Sequence, residues 1–309
     1  MAEARPVETA RDLISIVTSA CNAEKYIPTA LASVRSQSYE EWELIVIDDG
    51  GTDATAELVT RFAGTVSQPV KVLRNQQPQG PSAARNKGMK AAEGAFIAFL
   101  DADDFWLPQH LERLWSILHS GAADLAYSDA YVFTETPAGE NKLLEIDTIE
   151  VTDPRKDLFR RNFINTSAAA ITRRLMEGVG EFDPTLWAGE DLDYWIRAAI
   201  LNFQIASTGC RTYYYRKSGN SLSTFRGRMV EGCARIYEKH KTCGILPESE
   251  LLAKARESYF AAGKLYLRTD PCAARRAFFR AWKLSKRHCL PIACSLIASL
   301  LATVSTRDC

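Results

Sequence analysis

Residues Ala95–Pro108 read AFIAFLDADDFWLP, an apolar run that stops at three aspartates within four positions. The block Ala95–Leu100 is short, rich in Phe and Ile, and follows Gly94, which predicts a strand buried on both faces rather than a helix. Asp101, Asp103 and Asp104 then stand at the carboxyl end of a strand, where ligands bind in open α/β sheets. Three clustered carboxylates repel one another unless a cation or a set of donors holds them. A helix cap is the alternative, because Asp104 lies just before Pro108, a residue suited to a first helical turn. That reading accounts for one aspartate and leaves two.

Working outward, short apolar runs alternate with amphipathic stretches from Leu13 to Leu100. The order is LISIVTS, then Pro28–Gln37, WELIVID, Ala54–Phe62, VKVLRN, Pro81–Ala92 and AFIAFLD. This spacing predicts βαβ units and an α/β fold: a mostly parallel, Rossmann-like sheet with helices on both faces. Pro28, Pro81 and Pro108 each sit where a helix can begin. A second block, from Asp124 to about Tyr215, mixes the strands DLAYSDAYVF and RTYYY with a helix near Asp191–Leu201. After Thr224 strand signals fade, leaving helices punctuated by Gly244, Pro247 and the TDP at Thr269–Pro271. The expected organisation is a tail over 1–11, a domain over 12–225 and a helical region over 226–309. No internal repeat is found, although ESYFAAGKLYLRTDPCAARRAFFRAWKLS has the spacing of one tetratricopeptide-like helix pair.

At 309 residues, 46% hydrophobic and 25% charged, the chain can bury a sizeable core. Lys plus Arg and Asp plus Glu both number 38, so the balance gives no reason to expect a nucleic-acid partner. Residues 251–309 nevertheless hold 11 Lys/Arg against 3 Asp/Glu, a balance of +8. The start, MAEARPVETARD, has no apolar export core, and no stretch reaches the roughly 20 apolar residues of a spanning helix, so a cytoplasmic location is expected. Eight cysteines without a CxxC pair are expected to be reduced and mostly buried, with no zinc site.

Two more segments place acids where chemistry is possible. WELIVIDDGGTDAT ends a strand on Asp48 and Asp49, followed by Gly50, Gly51 and Asp53. Asp53 reads as a helix cap and the glycines as turn residues, which leaves Asp48 and Asp49 unexplained. In WAGEDLDYWIRA, Glu190 and Asp191 open an amphipathic helix, where a carboxylate is also favoured electrostatically. Between them, QGPSAARNKGMKAAEG matches neither GxGxxG nor GxxxxGK. Its Arg85 and Lys87 read either as phosphate ligands near the sheet edge or as a solvated helix face.

Taken together, SIVTSACNAEKYIPTALASVRSQSYEEWELIVIDDGGTDAT, GPSAARNKGMKAAEGAFIAFLDADDFWLP and GVGEFDPTLWAGEDLDYWIRA resemble the family 2 glycosyltransferases of GT-A fold, over roughly residues 12–225. The resemblance implies an inverting, non-processive transfer of one sugar from a nucleotide-diphosphate sugar, UDP-linked by expectation, to a glycan or lipid-linked acceptor. It implies that Asp49 holds the nucleobase, that Asp48 shapes the pocket, and that the backbone near Thr18 and Ser19 lies against the nucleoside. Arg85 would sit near the nucleotide. Asp101 would orient ribose or sugar, and Asp103, last residue of the DXD element, would hold Mg²⁺ or Mn²⁺ against the diphosphate. Asp191 would be the general base, with Glu190 tuning it or contacting the acceptor and Trp187 stacking on a sugar.

Two departures stand out. Cys21 occupies the place where many members carry a tyrosine beside the base, and Gly51 replaces the serine of the DDGS element, a change read as minor. The QxxRW element and spanning helices of processive synthases are absent.

Beyond the resemblance, Ala274–Arg287 forms an amphipathic basic pattern. Ala274, Phe278, Ala281, Trp282 and Ser285 fall on one face, and Arg276, Arg280, Lys283 and Arg287 on the other. With the apolar run Leu290–Val304 behind it, this reads either as a helix at the inner, anionic face of a membrane or as packing on the protein. Two other functions remain open to the sequence. One is a nucleotidyltransferase, disfavoured by the absence of a glycine-rich loop after the first strand. The other is a non-catalytic sugar- or lipid-carrier-binding module, disfavoured by the intact acidic elements.

Overall fold

The computed structural model describes residues 12–135, 141–144, 150–217 and 226–285. The chain divides into two compact units, 1–185 with 190–218, and 186–189 with 219–309.

The first unit opens with β1 (Ile14–Ala20), α1 (Ile27–Arg35), β2 (Trp42–Asp49), α2 (Thr55–Ala63), β3 (Val70–Asn75), α3 (Pro81–Ala91) and β4 (Phe96–Phe99). These match the alternation read from the sequence. β2 and β4 are buried along their whole length, as continuous apolar runs require. α1 buries Ile27, Ala30, Leu31 and Val34, a single helical face, and carries Pro28 in its first turn. Gly88 of α3 lies so close to the sheet that a Cβ there would stand 2.4 Å from Val17 Cγ1.

The unit continues with β5 (Phe105–Trp106), α4 (His110–His119), β6 (Leu125–Glu135), β7 (Asn141–Leu144), α5 (Pro154–Asp157), a 3-10 turn (Thr166–Ala168), β8 (Ala169–Thr172), α6 (Arg173–Val179), α7 (Glu190–Ile200) and β9 (Ile205–Arg216). Pro108 does not start a helix: α4 begins at His110, behind Gln109. Asp104 therefore caps nothing. It is buried, and it accepts a hydrogen bond from Arg216 N at 2.8 Å.

The strand order is β3-β2-β1-β4-β8-β6-β9-β5, with β7 pairing β6. The four strands β3, β2, β1 and β4 run parallel. Beyond β4 the pairs β4–β8, β8–β6, β6–β7 and β5–β9 are antiparallel, and β6–β9 is parallel. The sheet is thus mixed rather than mostly parallel. Strand direction depends on how the chain returns to the sheet, which apolar runs do not encode. The order reverses at β1, where the chain leaves β3 and returns on the other side as β4. The crevice beyond the ends of β1 and β4 is the topological switch point, and Asp48, Asp49 and Asp101 all lie at that end of the sheet.

The second unit contains α8 (Arg226–Lys239), α9 (Glu248–Tyr266) and α10 (Pro271–Lys283). Tyr266, Ala273, Ala274, Ala277 and Phe278 form its core with Ala262, and the Phe278 ring fills the space left by Gly263. Asp270 caps α10 by accepting from Ala273 N at 2.9 Å. The basic helix differs from its sequence reading in one respect: Trp282 is 46% exposed, and Ala277 takes the buried position instead. Arg287 and Leu290–Val304 lie outside the described residues. Among those described, no helix is long and apolar enough to cross a membrane. The thiols also depart from expectation: Cys21 is exposed, Cys210, Cys233 and Cys243 are half-buried, and Cys272 is disulfide-bonded.

Candidate active site

Two loops at the carboxyl ends of β1 and β2 interlock. Asp53 accepts from Glu24 N at 2.9 Å with one carboxylate oxygen and from Thr55 N and Thr55 Oγ1 with the other. Glu24 returns the contact by accepting from Ala54 N at 3.1 Å, and Thr55 Oγ1 accepts from Ala23 N at 2.9 Å. Asn22, at φ +51, turns its amide oxygen onto Thr52 N at 2.8 Å. Each loop therefore supplies acceptors for N–H groups of the other.

Asp48 and Asp49 point to opposite faces of β2 and do different work. Asp49 accepts from Asn75 Nδ2 at 2.7 Å, Gln79 N at 2.9 Å and Gly80 N at 2.8 Å, so both of its oxygens hold the β3–α3 connection. Asp48 accepts from Gly51 N at 2.9 Å and pairs with Arg74 Nε at 3.1 Å. Arg74 also donates to Gly51 O at 2.8 Å while 59% of its side chain stays exposed. Gly51 is more than a minor departure: a Cβ there would stand 2.7 Å from Asp48 Oδ1. Thr18 is buried with an unpartnered Oγ1, Ser19 is half-buried, and Cys21 is exposed. Burial, with Asp49, Asp48 and Asp53 nearby, pushes the Cys21 thiol up.

Beyond β4, the DXD loop is braced from behind. Asp101 N donates to Ser167 Oγ at 3.0 Å, and the Ser167 hydroxyl also bonds to Asp104. Arg216 donates from its backbone to Asp104 and from Nε to the Asp103 carbonyl at 2.9 Å, and its guanidinium lies between the Tyr26 and Phe133 rings. Burial, and then Asp103 and Asp101, push the Asp104 carboxyl well up. Asp103 remains partly open, its carboxyl pushed up to about 6 by burial and by Asp101.

Arg85 links the loop after β4 to the start of α7. Its Nη2 donates to Asp101 Oδ1 at 2.8 Å and its Nη1 to Glu190 Oε1 at 2.7 Å, with the guanidinium buried over the Phe182 ring. The two carboxylates hold it protonated against the effect of burial. Next to Glu190, Asp191 is partly exposed and accepts from Leu192 N at 2.7 Å and Asn162 Nδ2 at 3.0 Å. Burial and the Glu190 carboxylate push Asp191 up to about 7, so near neutrality it can exchange a proton. Trp187 belongs to the second unit, where its exposed ring lies 4.2 Å from the Arg228 guanidinium.

Among the described residues, no three His, Cys, Asp or Glu side chains gather to hold a metal. The residues present do fit a hard divalent cation of the kind that takes one or two carboxylates and completes its shell with water and substrate phosphate. Asp103 is partly open, and its carboxylate is destabilised by burial and by Asp101.

The family model for glycosyl transferase family 2 matches residues 15–177, more than half of the chain. The chain belongs to glycosyltransferase family 2. It is an enzyme that transfers a sugar from a nucleotide-diphosphate sugar, and its relatives are named accordingly. The putative teichuronic acid biosynthesis glycosyltransferase TuaG of Bacillus subtilis is 24% identical over 230 residues, covering 74% of this chain and 88% of TuaG. The Escherichia coli glucosyltransferase WfgD is 38% identical over 117 residues, covering 38% of this chain and 45% of WfgD. Among solved structures, Staphylococcus aureus TarS 1–349 with UDP-GlcNAc gives a TM-score of 0.65 at 18% identity, covering 88% of this chain and 81% of that one. Mannosyltransferase PcManGT of Pyrobaculum calidifontis, with GDP-Man and Mn²⁺, gives 0.61 at 19% identity, covering 97% and 82%. These two likenesses support the fold.

Within this family 2 member, Arg74, Asn162, Ser167 and Arg216 escaped the sequence reading. Arg216 ends β9, and Arg74 is the penultimate residue of β3, so each at least puts a charge near a strand end. Asn162 and Ser167 carry no local signal, since their partners lie elsewhere in the chain.

Proposed function

We propose that the enzyme moves one sugar from a UDP-sugar to a hydroxyl of a glycan or lipid-linked acceptor, with inversion. The observation that carries this reading is Arg85, which ties the DXD acid Asp101 to Glu190, the neighbour of Asp191. Donor-side and base-side carboxylates are thereby held in one framework. The base stacks over the β1 and β2 ends, where Asp48 and the half-exposed Arg74 offer an acceptor and a donor. Asp101 orients ribose or sugar, and Asp103 holds Mg²⁺ or Mn²⁺. Held there, such a cation would supply a counter-charge for the departing diphosphate. Asp191 takes the proton from the acceptor hydroxyl as that oxygen attacks the anomeric carbon. UDP is preferred because WfgD is named for a UDP-Glc donor and TarS is solved with UDP-GlcNAc. WfgD is also named for a lipid-linked diphosphate acceptor, which favours a similar class here.

Calorimetry with UDP in Mn²⁺ and then in EDTA tests the donor half, and Asp103→Asn should abolish the difference between the two. Equal affinity in both conditions refutes the metal assignment. A panel of nucleotide sugars scored for metal-dependent hydrolysis names the donor.

We also propose a cytoplasmic enzyme that touches the inner face of a membrane through α10. Phe279 and Trp282 are exposed on this helix, and so are Arg275, Arg276, Arg280 and Lys283. Exposed aromatics beside cations suit an anionic lipid surface. Co-sedimentation of the full chain with phosphatidylglycerol vesicles should fall sharply in Phe279→Ala/Trp282→Ala. Unchanged sedimentation, or none in the parent, returns α10 to a packing role.

A further inference from the structure

Asp191 is the second residue of α7, and both of its carboxylate oxygens are held by the protein. Oδ1 accepts from Leu192 N within the helix, and Oδ2 accepts from Asn162 Nδ2 at 3.0 Å. Asn162 lies in the irregular segment between α5 and the 3-10 turn. Its own amide oxygen accepts from Ile164 N at 3.3 Å, which turns the NH₂ group toward Asp191. The segment is latched a second time to the same helix, because Trp195 Nε1 donates to Ile164 O at 2.9 Å. Trp195 follows Asp191 by four residues, one helical turn along the same face. The backbone that carries Asn162 is therefore fixed to the helix that carries the carboxylate.

We propose that Asn162 is a positioning residue for Asp191: its amide fixes the carboxylate in one orientation for proton abstraction from the acceptor. This rests on Asp191 being the general base. Without the amide, the carboxylate would keep a single donor, Leu192 N, and could turn about its Cβ–Cγ bond. The donation also stabilises the ionised form, as does Arg85 of α3, whereas Glu190 of α7 opposes it. Asn162 thus influences the pH at which the base becomes available, and it does so without a net charge that would disturb the nearby Arg85 pairs.

The test uses the full chain. Carboxyl-carbon NMR follows the titration of Asp191, with the Asp191→Asn spectrum identifying its resonance. Asn162→Ala should raise the midpoint by about one pH unit, and Asn162→Asp, nearly isosteric but bringing a like charge, should raise it further. In parallel, hydrolysis of UDP-glucose and UDP-N-acetylglucosamine is measured against pH. The rate profile should move with the NMR midpoint and fall about tenfold on the acidic side in Asn162→Ala, while UDP affinity stays unchanged. In an Asp191→Asn background the Asn162→Ala change should have no further effect. An unmoved midpoint in both variants overturns the proposal, as does a loss of UDP affinity in step with turnover. An Asp191→Asn protein that keeps its hydrolysis, with the NMR shift present, sinks the base assignment instead and leaves the Asn162 contact standing.

Discussion

Asp101 and Glu190 are held by one guanidinium, at 2.8 and 2.7 Å from the two terminal nitrogens of Arg85. A lysine offers one point charge in place of this fork. Arg85→Lys should leave one carboxylate without its cation, lowering the melting temperature and slowing transfer together. Arg85→Met, which removes the charge, should destabilise the fold by about 3–5 kcal/mol, as breaking a buried pair from one side does. Calorimetric unfolding of both proteins measures this. A wild-type melting temperature for Arg85→Met would show that the bridge is not structural.

With Asp191 as the proposed base, sugar transfer should rise with pH through about 7, since the carboxyl can take a proton only after losing its own. Below that point the rate should fall tenfold per pH unit. Asp191→Asn keeps the shape of the side chain and should reduce transfer by about 10²- to 10⁴-fold with UDP affinity retained. If Asp191 only favours the start of α7, Asn serves nearly as well and turnover stays near wild type.

Asp48 and Asp49, adjacent in the chain, should fail differently. Asp49→Ala removes the acceptor for three N–H donors and should lower stability first. Asp48→Asn and Arg74→Gln should weaken UDP binding by about tenfold or more while melting stays close to wild type. Gly51→Ser places a Cβ 2.7 Å from Asp48 Oδ1 and should resemble Asp48→Asn in calorimetry with UDP. Equal losses of stability in the Asp48 and Asp49 variants would contradict this division.

His110 supplies a pH-dependent stability. It is fully buried, bonded through Nδ1 to Thr212 Oγ1 at 2.6 Å and stacked on Trp106, and burial pushes its imidazole down to about 3. The unfolded chain binds a proton near pH 6.5 and the folded one does not. This contribution is therefore complete above 6.5 and is lost as pH falls toward 3, at about 1.4 kcal/mol per unit for one proton. Urea unfolding between pH 7 and 5 should show a slope that His110→Gln removes, at a constant cost from the altered packing. An unchanged slope would mean that other groups set the acid limit.

The parallel half of the sheet was legible because each of its strands is a bare apolar run between amphipathic helices, and the acids at strand ends break the pattern abruptly. The acidic clusters around Asp103 and Asp191 stand out in the sequence, but the choice of these two residues within them comes from the family resemblance. The antiparallel half was less readable. β8 spans only Ala169–Thr172, too short for a periodic signal, and β7 pairs with β6 across intervening chain. Arg85 reads locally either as a phosphate ligand or as part of a solvated helix face, yet its partners are carboxylates 16 and 105 residues away, a distance that no local pattern spans. Asp104 shows the same limit: the residue that claims it, Arg216, lies 112 positions further on.

The reciprocal acceptors of the β1–α1 and β2–α2 loops bear on the thermodynamics of recognition. Neither Glu24 nor Asp53 can shift without stripping an N–H of the other loop, so the two segments fluctuate as one body. A nucleoside seated above them, as proposed, would meet a surface that is already ordered, and little chain entropy would be lost on binding. Loosening the pair, as in Glu24→Ala with Asp53→Ala, should therefore make UDP association more enthalpic and more entropically opposed, although neither carboxylate is assigned a contact with the nucleotide.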